Sequence, residues 1–187
     1  MEAENTALVV VDMQNCFAHP EGVLYSEASE EVVPEMKDFI DEMRSRGVQV
    51  VYTQDTHTKE QFENLDNYDE FEQWGEHAVE DTWGHEVVDD LEVHEEDEIV
   101  QKGTYDAFHE TDVNEKLGDV DNVVIVGTLA NVCVLHTASS AALEDYAVTV
   151  VEDLVGYITE DHKDYALEHI DFLVGEVEES DVVLDTL

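Results

Sequence analysis

Three side chains able to do chemistry together stand far apart in the chain: Asp12, Lys102 and Cys133. Cys133 belongs to Gly127-Thr128-Leu129-Ala130-Asn131-Val132-Cys133-Val134, where an apolar strand turns into a helix and carries a thiol into its first turn. A helix N-terminus bears partial positive charge, which favours thiolate, and its free N–H groups suit an oxyanion. Position alone leaves a second reading open, a small apolar residue packed within Val-Cys-Val. Lys102 weighs on the side of chemistry. It follows the strand end Ile99-Val100-Gln101 in a chain with only seven Lys plus Arg, and a buried Lys is rare without an anionic partner. Asp12, at the tip of the apolar run Thr6 to Val11, is the carboxylate placed to take the thiol proton and pass it to a leaving amine.

A second group lies in Gln54-Asp55-Thr56-His57 and Trp74-Gly75-Glu76-His77. One carboxylate with two imidazoles can hold a divalent transition metal (zinc, iron or manganese) and leave coordination positions open for substrate and water. Spacing by itself does not separate this from solvated histidines on an acidic loop, because nine His and 49 acids generate such combinations by chance.

The elements that must position these groups read as alternating strands and helices. Thr6 to Val11, Val48 to Thr53, a run closing on Ile99 and Val100, Val123 to Val126 and Val148 to Val151 are the strands, with Val182 to Leu184 a short sixth. Helices are expected over about Glu30 to Arg46, ended by Gly47, over about Asn131 to Tyr146, and over about Asp161 to Leu173. The alternation predicts an α/β fold, a three-layer α/β/α sandwich around a mostly parallel sheet, in one domain spanning 1–187. In such sheets ligands sit beyond the carboxyl ends of the strands, and Asp12, Asp55, Lys102 and Cys133 all fall there.

Composition narrows the function classes. Apolar residues make up 43% of the 187, which excludes the low-hydrophobicity pattern of disorder. The formal net charge of −42 argues against nucleic acid and anionic membranes as partners, since both are held through Lys and Arg. The acids run through the whole chain, and the composition resembles that of salt-in halophilic archaea, where concentrated salt screens self-repulsion. Two cysteines are too few for a disulfide framework, and the acidic start Met1-Glu2-Ala3-Glu4-Asn5 is unlike a signal peptide, so a cytoplasmic protein is expected.

Three segments carry a family resemblance: Val9-Val10-Val11-Asp12-Met13-Gln14-Asn15, Lys102-Gly103-Thr104-Tyr105-Asp106-Ala107-Phe108, and Gly127 to Val134. In order and spacing they resemble the signature segments of isochorismatase-like cysteine hydrolases. The resemblance implies an Asp12–Lys102–Cys133 triad, a thioester intermediate, a cis peptide between Thr128 and Leu129, and an oxyanion hole from the N–H groups of Leu129 and Cys133. Asp-x-His after the second strand followed by Trp-x-x-His resembles the metal site of nicotinamidases. That implies Asp55, His57 and His77 as ligands, Glu70 as the extra carboxylate some members use, and Phe17, Trp74 and Tyr105 around a substrate ring. Nicotinamide hydrolysis feeding NAD salvage, in a homo-oligomer, is the implied activity. Isochorismate or a carbamoyl compound is the rival substrate, and a non-catalytic binding protein the rival class. Cys16 departs from the family's usual Asp and is read as structural; Ala130 replaces a common Thr; His136 is read as a packed helix residue.

The charge distribution yields a first prediction. Raising KCl from about 0.1 M to about 3 M should raise the melting temperature by more than about 10 °C. An unchanged thermal scan across that range would remove the salt-dependence reading.

Overall fold

The computed structural model describes residues 1–63 and 73–187. Among them six strands form one all-parallel sheet: β1 (Thr6–Val11), β2 (Gln49–Asp55), β3 (Glu98–Lys102), β4 (Asn122–Gly127), β5 (Ala147–Val155) and β6 (Glu176–Glu178). Their order across the sheet is β3-β2-β1-β4-β5-β6. Helices α1 (Asn15–Ala18), α2 (Glu27–Glu31), α3 (Val33–Ser45), α4 (Lys59–Glu63), α5 (Val113–Leu117), α6 (Leu135–Leu143), α7 (Glu160–His169) and α8 (Ser180–Thr186) flank it. α6 is entered through a π turn at Ala130–Val134, and α7 runs out through another at Ile170–Val174.

The layering follows from the period-two alternation of strands buried on both faces. Ala7, Val9 and Val11 of β1 point into one core, against Leu117 of α5, Ala138 and Ala141 of α6 and Leu167 of α7. Leu8 and Val10 point into the other, against Met36, Phe39, Ile40 and Met43 of α3 and Val183 of α8. In α3 the buried Val33, Met36, Phe39, Ile40 and Met43 recur at helical spacing, Pro34 opens the helix, and Gly47 at φ 87° follows its end. Each such core side chain contributes roughly 1.5–3 kcal/mol by leaving water. Most acids lie at the surface; among the described residues Asp12 and Asp55 are buried, and the Asp97 side chain is buried against Arg44.

Several element expectations are corrected. Val182 to Leu184 is not a strand but part of α8, whose start is fixed by Ser180 bonding both Asp153 oxygens (2.9 Å from N, 2.6 Å from Oγ). A three-residue apolar run does not separate strand from helix, and the sixth strand is the mixed Glu176–Glu178. The helix expected from Glu30 to Arg46 is two, α2 and α3, hinged at Val32. β2 and β3 run through Asp55 and Lys102, so these two residues end their strands instead of following them, and they pair in register. The sheet is wholly parallel.

Chain direction across the sheet reverses between β1 and β4, which opens a crevice at their carboxyl ends. Val11 pairs with Gly127 there, and Thr128 N donates to Val11 O at 2.9 Å. Gly127 sits at φ 118°, and a Cβ on it would lie 2.1 Å from Val11 O. Gly127→Ala should therefore cost about 3 kcal/mol or more, combining backbone strain with a forced separation of β1 from β4. Urea unfolding at high salt measures it; a loss below about 1 kcal/mol would show that the crevice tolerates the wider spacing.

Candidate active site

At the crevice floor, β1 ends in Asp12, whose φ of 50° turns its side chain out of the sheet. Neighbouring β2 fixes it: Thr53 Oγ1 donates to Asp12 Oδ1 at 2.5 Å and accepts from Asp12 N at 3.1 Å. Lys102, at the end of β3, is 2% exposed. Its Nζ lies 2.7 Å from Asp12 Oδ2, 3.6 Å from Cys133 Sγ and 3.9 Å from Asp55 Oδ1, and it donates to Thr104 O at 2.8 Å. The ammonium and the Asp12 carboxylate form a buried, charge-assisted ion pair. The structure thus brings Asp12, Lys102 and Cys133 together.

Burial governs the electrostatics. It pushes the Cys133 thiol well above its ordinary value; Lys102 opposes this, while Asp12 and Asp55 reinforce it. The helix end favours thiolate, and burial acts on the same thiol in the opposite sense. For Lys102 burial alone would lower the pKa, but Asp12, Cys133 and Asp55 together hold it raised, so it remains ammonium. For Asp55 burial acts upward, and Lys102, His57 and His77 overcome it and keep the carboxyl ionised.

Asp55 faces two ways. While Oδ1 looks toward Lys102, Oδ2 lies 3.1 Å from His57 Nε2 and 3.4 Å from His77 Nε2. The three ligand atoms all lie within 4.8 Å of one another and all three residues are buried. His77 Nδ1 hydrogen-bonds Gly75 O at 2.7 Å, the arrangement that turns Nε2 toward a metal. Two imidazole nitrogens and one carboxylate oxygen converging in a buried spot form a donor set placed for a divalent transition metal. Glu70 lies outside the described residues.

Above this floor is a cavity of about 300 Å³, the low end of the small-ligand range. Phe17, Trp74 and Tyr105 all line it, with Asp12, Asp55, His77 and Cys133 at its base. No Arg or Lys is among its described lining residues. The Thr128–Leu129 peptide is cis, and among the described residues no acceptor engages the Leu129 N–H. Cys16 is 1% exposed, and burial, then Asp55, push its thiol up, which leaves it a packed apolar group. His136 is not packed as expected but exposed, its Nδ1 bonding Val132 O at 2.7 Å.

Sequence reasoning missed several contributors. Gln14 clamps Asp55 by accepting from its N–H at 2.8 Å and donating to its carbonyl at 2.9 Å, and it also donates to His85 O. Phe62 stacks edge-on against His57 and His77, with ring centroids 5.6 and 5.7 Å away. Val23, Leu24, Tyr25 and Ile158 complete the cavity wall from loops that carry no motif. Thr53 was within reach of reasoning, being the β2 neighbour of the β1 tip.

Known proteins share this arrangement of elements. The chain is 31% identical to the nicotinamidase of Saccharomyces cerevisiae over 192 residues, covering 82% of this chain and 89% of the relative. It superposes on the pyrazinamidase of Pyrococcus horikoshii solved in complex with zinc (TM-score 0.83, 27% identity, 94% and 99% coverage). It also superposes on the N-carbamoylsarcosine amidase of Thermoplasma acidophilum (TM-score 0.80, 31% identity, 95% and 97% coverage). The isochorismatase domain model matches residues 6–181, and the parallel sheet and crevice just described are what that match spans: the chain belongs to the isochorismatase family of hydrolases.

Proposed function

We infer that the protein is an amidohydrolase with Cys133 as nucleophile, and that nicotinamide is its substrate. The observation that carries the reading is Cys133 Sγ 3.6 Å from a buried ammonium paired to Asp12, on the floor of an aromatic-walled cavity that also holds Asp55 and His77. Asp12, ion-paired to Lys102 beside the thiol, takes the thiol proton as sulfur attacks the carboxamide carbon, and Lys102 compensates the charge on sulfur. The tetrahedral oxyanion faces the N–H groups of Leu129 and Cys133. The C–N bond then breaks, Asp12 returns the proton to the departing ammonia, and a thioester remains. Asp12 next takes a proton from water, whose oxygen attacks the thioester carbon, and the carboxylate product leaves with the thiol restored. A divalent metal on Asp55, His57 and His77 supplies, when bound, a Lewis-acid contact to a ring nitrogen; the zinc of the Pyrococcus relative supports zinc.

The lack of a cationic side chain among the described lining residues supports a neutral amide over the isochorismate dianion. In this reading the product re-enters NAD salvage in a salt-rich cytoplasm. The exposed Leu143, Phe172 and Leu173 support association into a homo-oligomer. Hydrolysis of a carbamoyl compound is the second reading, favoured by the Thermoplasma relative.

Ammonia release from a small amide panel at molar KCl, with and without chelator, tests the choice. Nicotinamide turnover abolished by chelator and restored by zinc is expected; chelator-insensitive turnover of a non-pyridine amide would move the protein to the second reading. Lys102→Met should lower kcat by about a thousandfold and destabilise by about 3–5 kcal/mol, because Asp12 and Asp55 lose their shared cation. Near-normal rates in that variant would overturn the triad.

A further inference from the structure

The turn that carries the nucleophile is gripped from outside the family motifs by α2. Ser29 of α2 is fully buried, and its Oγ lies 2.7 Å from Thr128 Oγ1, itself 1% exposed. Among the described residues the two hydroxyls have no other side-chain partner, so each satisfies the other. Gly156, beyond β5, makes room for the pair: a Cβ on it would lie 2.2 Å from Ser29 Oγ and 2.8 Å from Thr128 Oγ1. Gly156 also ties into the same turn through its backbone, accepting from Ala130 N at 2.8 Å and donating to Gly127 O at 2.9 Å. α2 is anchored at its other end by Ser26, whose Oγ caps Ser29 N at 3.2 Å and donates to Tyr157 O at 2.7 Å. Thr128 directly precedes Leu129, whose N–H carries no acceptor. The hydroxyl pair is therefore the side-chain contact between α2 and the residue adjoining that donor.

We propose that Ser29 is a positioning residue for oxyanion stabilisation, acting through the Thr128 hydroxyl to fix the direction of the Leu129 N–H. A side-chain hydrogen bond between two buried hydroxyls has few equivalent alternatives once packed, since any rotation leaves both groups unsatisfied. Oxyanion donors act only when held in place before the charge develops, so a loosened donor weakens the transition state more than the ground state. The proposal rests on the cysteine hydrolase reading of this site, and its test uses a probe independent of the natural substrate.

An aromatic aldehyde such as pyridine-3-carboxaldehyde adds the Cys133 sulfur to its C=O carbon: the S–C bond forms, the C=O π bond breaks, the thiol proton passes to Asp12, and the oxygen takes up the negative charge in the oxyanion position. Iodoacetamide alkylates the same sulfur by displacing iodide and places no charge on oxygen. Wild type, Ser29→Ala, Thr128→Val, the double variant and Thr128→Ser are compared at molar KCl. Expected are aldehyde affinities weakened about tenfold in Ser29→Ala and Thr128→Val, no further loss in the double variant, recovery in Thr128→Ser, and iodoacetamide rates within about twofold throughout. With an active amide, kcat should fall alongside the aldehyde affinity while KM holds. Losses that multiply in the double variant, aldehyde affinity unchanged in Ser29→Ala, or alkylation slowed in step with aldehyde binding would each overturn the role. Failure of wild type to bind aldehyde or react with iodoacetamide at Cys133 would instead overturn the hydrolase reading itself.

Discussion

One ammonium group, buried in a protein of net charge −42, sets the constraints under which the rest of the site is built. Lys102 has given up its hydration, and a charge taken from water without compensation is far costlier than a fold of this size can absorb. Asp12 at 2.7 Å and Asp55 at 3.9 Å, both buried, provide the compensation. Neither carboxylate could be buried without the lysine, nor the lysine without them. Because the three arrive from the ends of β1, β2 and β3, adjacent strands, the sheet register that pairs Asp55 with Lys102 is also what assembles the charges.

Asp55 joins the two halves of the site. Its oxygens divide between Lys102 and the imidazoles of His57 and His77, so the nucleophile's electrostatic environment and the metal-binding donor set share one carboxylate. Burial raises the thiol's pKa, with Asp12 and Asp55 adding to that and Lys102 opposing it.

Much of this was legible in the sequence. The strands announced themselves because a parallel sheet buries both faces and so writes uninterrupted apolar runs such as Ala7 to Val11. Residues at strand ends were legible for the same reason, since a polar residue abutting such a run has one place to go. What could not be read was whatever depends on contacts across the sheet or between loops. The clamp of Gln14 on Asp55, the Phe62 stack on two histidines and the Ser29–Thr128 pair involve residue types that recur at many positions without meaning. The helical fate of Val182 to Leu184 was hidden because three apolar residues fit either period, and its cap depends on Asp153, some thirty positions earlier. A helix end beside the thiol is visible in a sequence, whereas the depth of burial around it is not.

The outer margins of the sheet bear on how the protein stays apart from its neighbours. β3 is the outermost strand on one side, and Lys116, beside Asp112 at 3.3 Å, donates its ammonium to the Ile99 carbonyl; on the other side β6 is three residues long. Exposed strand margins invite neighbouring molecules to add on and grow into insoluble assemblies. An acidic surface normally keeps molecules apart by repulsion, but that protection fades once dissolved ions shorten the reach of charge to a few ångströms. A lysine plugged into one margin and a truncated strand at the other go on working when repulsion has been switched off. Lys116, one of only seven Lys and Arg in the chain, thus does its work at a strand margin.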